Sequence, residues 1–365
     1  MAARPATRSA AQPPTQRRAP VRDFSVAADF KIEWDVRPGY DFLFSLSYDT
    51  AKTDDMPAAD RAWRRDAFAA LPKDIRAQIG PLSAEDVYVN VASFLVDRPE
   101  VRSSTDVVRT ISSVTTRELM RAILADLLRH TERADVVRRA IDGDPAAIEE
   151  LTATFPEHKR GFQALLADPK AFHQRLVAIL EAWAERFAEI EDRVAAMIER
   201  DHVGRAGDRE TLSGSDLIEK TTSGIRWLPE PGVRRVILAP SYFSRPYNFL
   251  LAGEDWRFFA YPIADEALDD VDPLLPPPAV VRLHRALGDP TRMRMLKLLS
   301  SRDLYLTEIA QQLDLSKPTI KHHLAQLRAA GLVTIIESGN IIYYTLRRGR
   351  LDEASTELKR FLTTD

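Results

Sequence analysis

The chain has 365 residues, 45% hydrophobic and 29% charged, with 51 Lys+Arg against 54 Asp+Glu. That length suits two or three domains with ample apolar content for a core. No apolar run approaches the roughly 18 residues that a membrane-spanning helix needs. The absence of any cysteine removes disulfide frameworks, thiolate metal sites and cysteine nucleophiles together.

Residues 1–22 hold Arg4, Arg8, Arg17, Arg18 and Arg22 and no acid, are rich in Ala and Pro, and lack the apolar core of a signal peptide. They read as a disordered basic tail, with a DNA-touching arm as the alternative.

Residues 23–263 read as an acidic α+β domain suited to effector binding or oligomerisation. Phe24 to Trp34 alternates like a strand, and Tyr40 to Tyr48 follows Pro38-Gly39 as a buried helix. Most of Asp60 to His202 reads as helices broken at Pro72, Pro81, Pro99, Pro145, Pro156 and Pro169. The longest is expected from about Lys170 to Arg200. Its Leu176, Leu180, Trp183, Phe187, Ile190, Val194 and Met197 step alternately by four and three, so it serves either as a core helix or as a dimer seam. Val233 to Pro240, Tyr247 to Leu251 and Trp256 to Tyr261 read as strands of a small antiparallel sheet, the last two turning at Gly253-Glu254-Asp255 and the sheet open to Phe24 to Trp34. Trp34, Trp183, Trp227, Tyr242, Phe243, Arg245, Trp256 and Phe258 could line a pocket, although ordinary packing explains any one of them as well. The chain has no G-x-S-x-G, G-x-x-x-x-G-K-[ST], G-x-G-x-x-G or H-E-x-x-H motif, so nothing points to an enzyme.

Residues 264–277 form an acidic, proline-rich linker ending in Pro276-Pro277, with Pro278 completing a triple proline that favours an extended spacer. Beyond it the charge changes sign. Residues 278–365 carry 14 basic and 9 acidic side chains. With five more arginines in the tail, residues 23–277 are left with 32 basic against 45 acidic, a net of -13. An acidic body thus precedes a small basic module, the electrostatic profile of a nucleic-acid binder.

The module reads as a series of short elements. Pro278 opens a helix that ends at Gly288, and Asp289 caps a second with Pro290 in its first turn. Thr307 caps a third over Glu308 to Leu313, and Asp314-Leu315 make a turn. Ser316 then caps a fourth, running to about Ala330 on a buried stripe of Ile320, Leu324 and Leu327. Its other face holds Lys317, Thr319, Lys321, His322, His323, Gln326 and Arg328, with no acid from Ser316 to Ala330, and can approach phosphates and base edges without repulsion. Gly331 stops the helix. The runs Leu332 to Glu337 and Ile341 to Leu346 flank Ser338-Gly339-Asn340 as a hairpin, and Leu351 to Leu362 is a last amphipathic helix.

The fold class is therefore mainly α with small antiparallel β elements: a C-terminal winged helix-turn-helix joined by a Pro-rich linker to a larger helical α+β domain. The module resembles the ArsR/SmtB family of bacterial transcriptional regulators. The resemblance rests on Leu287-Gly288-Asp289-Pro290-Thr291-Arg292, Met295 to Leu299, Leu306 to Ala310, Leu315 to Leu324 and Leu327 to Val333, and spans about a quarter of the chain. It implies a cytoplasmic, homodimeric, sequence-specific binder of double-stranded DNA, a repressor rather than an activator. Dimer contacts would come from Val280 to Leu287 and Leu351 to Leu362. The helix from Ser316 would enter the major groove, with Lys317, Thr319, Lys321 and His322 facing bases. Gln326, Arg328 and the wing residues Asn340 and Arg347 would meet the backbone. The family's metal sites would need thiolates near Ile309 to Gln311 or histidines between Leu351 and Asp365, and neither is present. No metal and no cofactor is expected, and control would come from a non-metal effector on the N-terminal domain. The segment Pro240-Ser241-Tyr242 through Arg245-Pro246 resembles stretches of the long N-terminal extensions of some such regulators, without assigning a ligand. The alternative is a partner-protein-binding or architectural protein that the winged helix merely anchors to DNA.

Overall fold

The computed structural model describes residues 30–47, 55–129, 133–156, 159–269, 274–338 and 341–363. The basic tail 1–22, residues 24–29 of the first expected strand, residues 270–273 of the linker and Asn340 lie outside the described residues.

The N-terminal body is helical around a small four-stranded sheet of β1 (Lys31–Trp34), β2 (Arg235–Ser241), β3 (Phe249–Ala252) and β4 (Trp256–Pro262), in the order β1-β2-β4-β3. The β3–β4 pair is antiparallel and turns where the glycine-containing segment 253–255 was expected to turn it. β2 instead runs parallel to both β1 and β4, so the sheet is mixed. Parallel pairing needs a long crossover, and the helices between Trp34 and Arg235 supply it. Because β2 is central and covered on both faces, Val236 to Ser241 is continuously buried.

The expected long helix is broken. It runs as Pro169–Phe187 and Glu191–Gly204, separated by a turn at 188–190. The heptad side chains survive the break because all seven are buried in one core, Trp183 donating its indole N–H to Ser45 Oγ at 2.7 Å. The stripe is consumed inside this chain and leaves no seam for a second copy. Pro81, read as a breaker, lies inside the helix Lys73–Ala84, near its end, where its missing N–H costs one bond and not the helix.

The aromatic set offered as a pocket lining is distributed over two cores. Trp183, Tyr242, Phe243, Trp256 and Phe258 pack in the larger, while Trp227, with Trp34 against it, belongs to a second beside the sheet. Tyr242, Phe243 and Arg245 do come together, beside Asp55 and Met56, but they pack too closely to leave room for a ligand.

The C-terminal module has its own core of Leu283, Met295, Leu299, Ile309, Leu324, Leu327 and neighbours. Four helices, Pro278–Leu287, Pro290–Leu299, Leu306–Leu313 and Lys317–Ala329, precede the wing of β6 (Val333–Ser338) and β7 (Ile341–Leu346), and Gly349–Thr363 closes the chain. β5 (Leu304–Tyr305) adds to β7, giving the antiparallel order β5-β7-β6. Asp289 caps its helix through the Arg292 backbone N–H at 2.8 Å. The third helix begins one residue before Thr307: Glu308 reaches back to the Tyr305 backbone N–H at 3.1 Å and sets the start there. Gly331 takes φ +69°, the left-handed geometry that ends a helix.

The module is docked on the body. Arg282 pairs with Asp55 and donates from Nε to the Ala329 carbonyl at 2.6 Å. Asp265, itself paired with buried Arg245, accepts from the Ala279 backbone N–H at 3.0 Å in the first turn of the Pro278 helix. Ile225 forms a parallel bridge with Ile335 on the outer edge of β6, covering a strand edge that would otherwise be open. Gly224 makes this approach feasible: its φ is +123° and a Cβ there would lie 3.2 Å from Thr334 Oγ1.

Candidate DNA-reading surface

The helix Lys317–Ala329 starts cleanly. The Ser316 hydroxyl accepts from the Thr319 backbone N–H at 3.3 Å and lies 2.7 Å from Thr319 Oγ1. Pro318 falls in the first turn, where a backbone N–H would have no helical partner. Ile320, Leu324 and Leu327 are buried in the module's core, which fixes the rotation of the helix about its axis. That rotation leaves Ser316, Lys317, Thr319, Lys321 and His322 exposed along one stretch of the N-terminal half. Two lysines, two hydroxyls and an imidazole there sit beside the positive end of the helix dipole, where an anion is stabilised.

The other expected contacts are placed differently. Gln326 is half-buried and held inside the module: its Oε1 accepts from Arg292, and its Nε2 lies 2.8 Å from His322 Nε2. Arg328 is half-buried and lines a cleft against the body with Ser223, Tyr247 and Asn248. Arg347 sits at the base of the wing, paired with Glu353 at 3.2 Å, its side chain only 14% exposed. At the same base Arg350 is paired with Glu353 and Glu357. Burial lowers its pKa, but the two carboxylates outweigh that and hold the guanidinium above its ordinary value. Arg347 thus ties the last helix to the wing, while Arg350, itself on that helix, donates from Nε to the Ala330 carbonyl at 3.3 Å.

Arg292 is the residue that sequence reasoning missed. It is 8% exposed and donates to the Ala286 carbonyl at 2.8 Å and the Arg285 carbonyl at 2.7 Å as well as to Gln326. It was visible only as part of Asp289-Pro290-Thr291-Arg292, and nothing in that run signals a contact 34 residues away. Asp289, capping the same helix, is held below the ordinary carboxylate range by the Arg292 backbone N–H.

His322 and His323 point apart, with ring centroids 5.9 Å apart and planes at 63°. Among the described residues no three His, Cys, Asp or Glu side chains are grouped to hold a metal ion, and no helix is long and apolar enough to cross a membrane.

Comparison with known proteins places this surface in context. The profile described as "Bacterial regulatory protein, arsR family" matches residues 289–334. The chain is similar to the transcriptional repressor SdpR of Bacillus subtilis, 35% identical over 80 residues that make up 22% of this chain and 89% of SdpR. It is also similar to the HTH-type transcriptional regulator CmtR of Mycobacterium tuberculosis, 39% identical over 80 residues, 22% of this chain and 68% of CmtR. The arsenical resistance operon repressor of Staphylococcus xylosus is 33% identical over 81 residues, 22% of this chain and 78% of that protein. Among solved structures, HlyU from Vibrio cholerae covers 23% of this chain and 91% of its own at 29% identity, with a TM-score of 0.19. SdpR, CmtR and the Staphylococcus xylosus protein are named as regulators or repressors, and each match covers about a fifth of this chain.

Proposed function

Because the chain belongs to the ArsR family of bacterial regulatory proteins, and is thus a DNA-binding transcriptional regulator, we propose that it is a dimeric repressor that reads a palindromic operator with two copies of the Lys317–Ala329 helix. The exposed, acid-free run Ser316, Lys317, Thr319, Lys321 and His322 carries this reading. Phosphate contacts from the helix N-terminus would fix register, and side chains further along would reach base edges in the major groove. Repression then follows from occupancy of the operator. SdpR and the Staphylococcus xylosus protein are named repressors, which supports the sign.

The division of labour we propose is a basic tail (1–22), an acidic effector or oligomerisation domain (23–263), a linker (264–277) and the DNA-binding module (278–365). A body docked on the wing base, on the end of the reading helix and on the Pro278 helix favours control of the module over mere anchoring of a partner protein. A non-metal effector would act by preferring one arrangement of that joint over another, since a ligand with equal affinity for both shifts nothing.

Selection of bound sites from random duplexes by the full chain tests the proposal. The expected product is a palindrome with half-sites about one helical turn, roughly 10 base pairs, apart. Recovery of no sequence above background would refute it.

A further inference from the structure

We propose that buried Arg292, acting through Gln326, sets the tautomer of the His322 imidazole with the proton on Nδ1, and so makes it a hydrogen-bond donor that selects an acceptor-bearing base edge. The proposal rests on the reading of the Lys317–Ala329 helix as the DNA-contacting element and names what one of its residues recognises.

The argument is one of hydrogen-bond polarity. A guanidinium has only donors. Arg292 is anchored on the carbonyls of Ala286 and Arg285, so the group it presents to the reading helix is an N–H, and the Gln326 atom facing it must be the carbonyl Oε1. That orients the amide: the Gln326 atom 2.8 Å from His322 Nε2 is the NH2 group, again a donor only. His322 Nε2 must therefore accept, and a neutral imidazole that accepts on Nε2 carries its proton on Nδ1. Free imidazole side chains favour the other tautomer, so the network selects a form that the residue would not adopt by itself. Gln326 and His322 lie four residues apart, one above the other on a helix face, which is what allows the contact.

His322 is exposed, so its Nδ1–H is the group available outside the module. In the major groove a donor matches guanine N7 and O6, adenine N7 or thymine O4, and does not match the cytosine or adenine amino groups. Arg292 and Gln326 touch no base in this scheme; they are positioning residues.

The test uses the full chain and the variant Gln326→Glu. A carboxylate keeps the partner of Arg292, so the packing between the two helices is retained, but it can only accept, and it demands the Nε2–H form of His322. The tautomer is read from imidazole 15N shifts at pH 8 without DNA, with His322→Gln identifying the signal among the seven histidines. The wild type should show Nδ1–H at His322, and Gln326→Glu should move it to Nε2–H. Site selection should then show the base pair opposite His322 changing from an acceptor to an amino-bearing edge, by about tenfold in preference, within the range of a good base contact. An Nε2–H tautomer in the wild type, or one that Gln326→Glu leaves unmoved, overturns the proposal, as does a moved tautomer with an unmoved base preference. A wild type that selects no sequence is a separate failure, that of the DNA-reading role itself, and the DNA-free tautomer distinguishes the two.

Discussion

Asp41 offers a pH dependence with a definite sign. It is fully buried on the helix Pro38–Phe44, against the end of β2 and the residues that follow it. One carboxyl oxygen accepts from Ser241 Oγ at 2.7 Å and from the Phe243 backbone N–H at 2.8 Å, while the other has no partner among the described residues. Burial pushes its pKa up to about 7, against the pull of those hydrogen bonds. The unfolded chain would ionise near 4. The folded state thus holds its proton more tightly, and the stability this contributes is complete below pH ~4 and lost as pH rises through 7. Between pH 5 and 8 the loss comes to about 2.5 kcal/mol at ~1.4 kcal/mol per pKa unit. For a domain of this size that is about 5–10 °C in Tm. The perturbation is Asp41→Asn, which keeps the accepting oxygen and cannot titrate. Calorimetric scans across this pH range should show the wild type losing about 5–10 °C more than the variant, and superimposable slopes would refute the reasoning.

Three further expectations concern the module. Arg282→Ala and Asp55→Ala should show a coupling of about 1–3 kcal/mol in a double-mutant cycle on thermal stability, since the pair is mostly buried; additivity would show that the joint is not held there. Lys321→Ala with His322→Ala should weaken operator binding tenfold or more at fixed salt and leave the circular dichroism spectrum unchanged, and full affinity and selectivity in the double variant would remove these residues from the interface. Lys317→Ala should reduce the salt slope of binding by about one phosphate contact, whereas Arg347→Ala, whose guanidinium is held by Glu353, should leave it unaltered. The reverse result would return the wing arginine to the backbone.

The module was legible because its signals are local. Asp289, Ser316 and Gly331 act within a residue or a turn of themselves, and the Ile320, Leu324 and Leu327 stripe has one helical period. Deviations there are of one or two residues, as at the third helix, where Glu308 fixes a start before Thr307. In the body the strands around Val236, Leu251 and Phe258 were readable from their composition, but their directions were not. Whether β2 runs parallel to β1 depends on a crossover of some two hundred residues that carries no mark in either strand. The break at Ala188 to Ile190 was hidden because the buried stripe keeps its spacing across it. The contacts that remake the candidate site, Arg292 to Gln326 and Arg282 to Asp55, join residues 34 and 227 positions apart, and an arginine's sequence neighbours say nothing about so distant a partner.

Methylation interference on a selected operator addresses the reading helix directly, because guanine N7 lies in the major groove. The full chain should be blocked by N7 methylation at two clusters about one helical turn apart, and substitution of Lys321 should relieve the block at one position in each cluster. Binding that tolerates every major-groove methyl group, or interference confined to the minor groove, would contradict the assignment of the exposed face from Ser316 to His322.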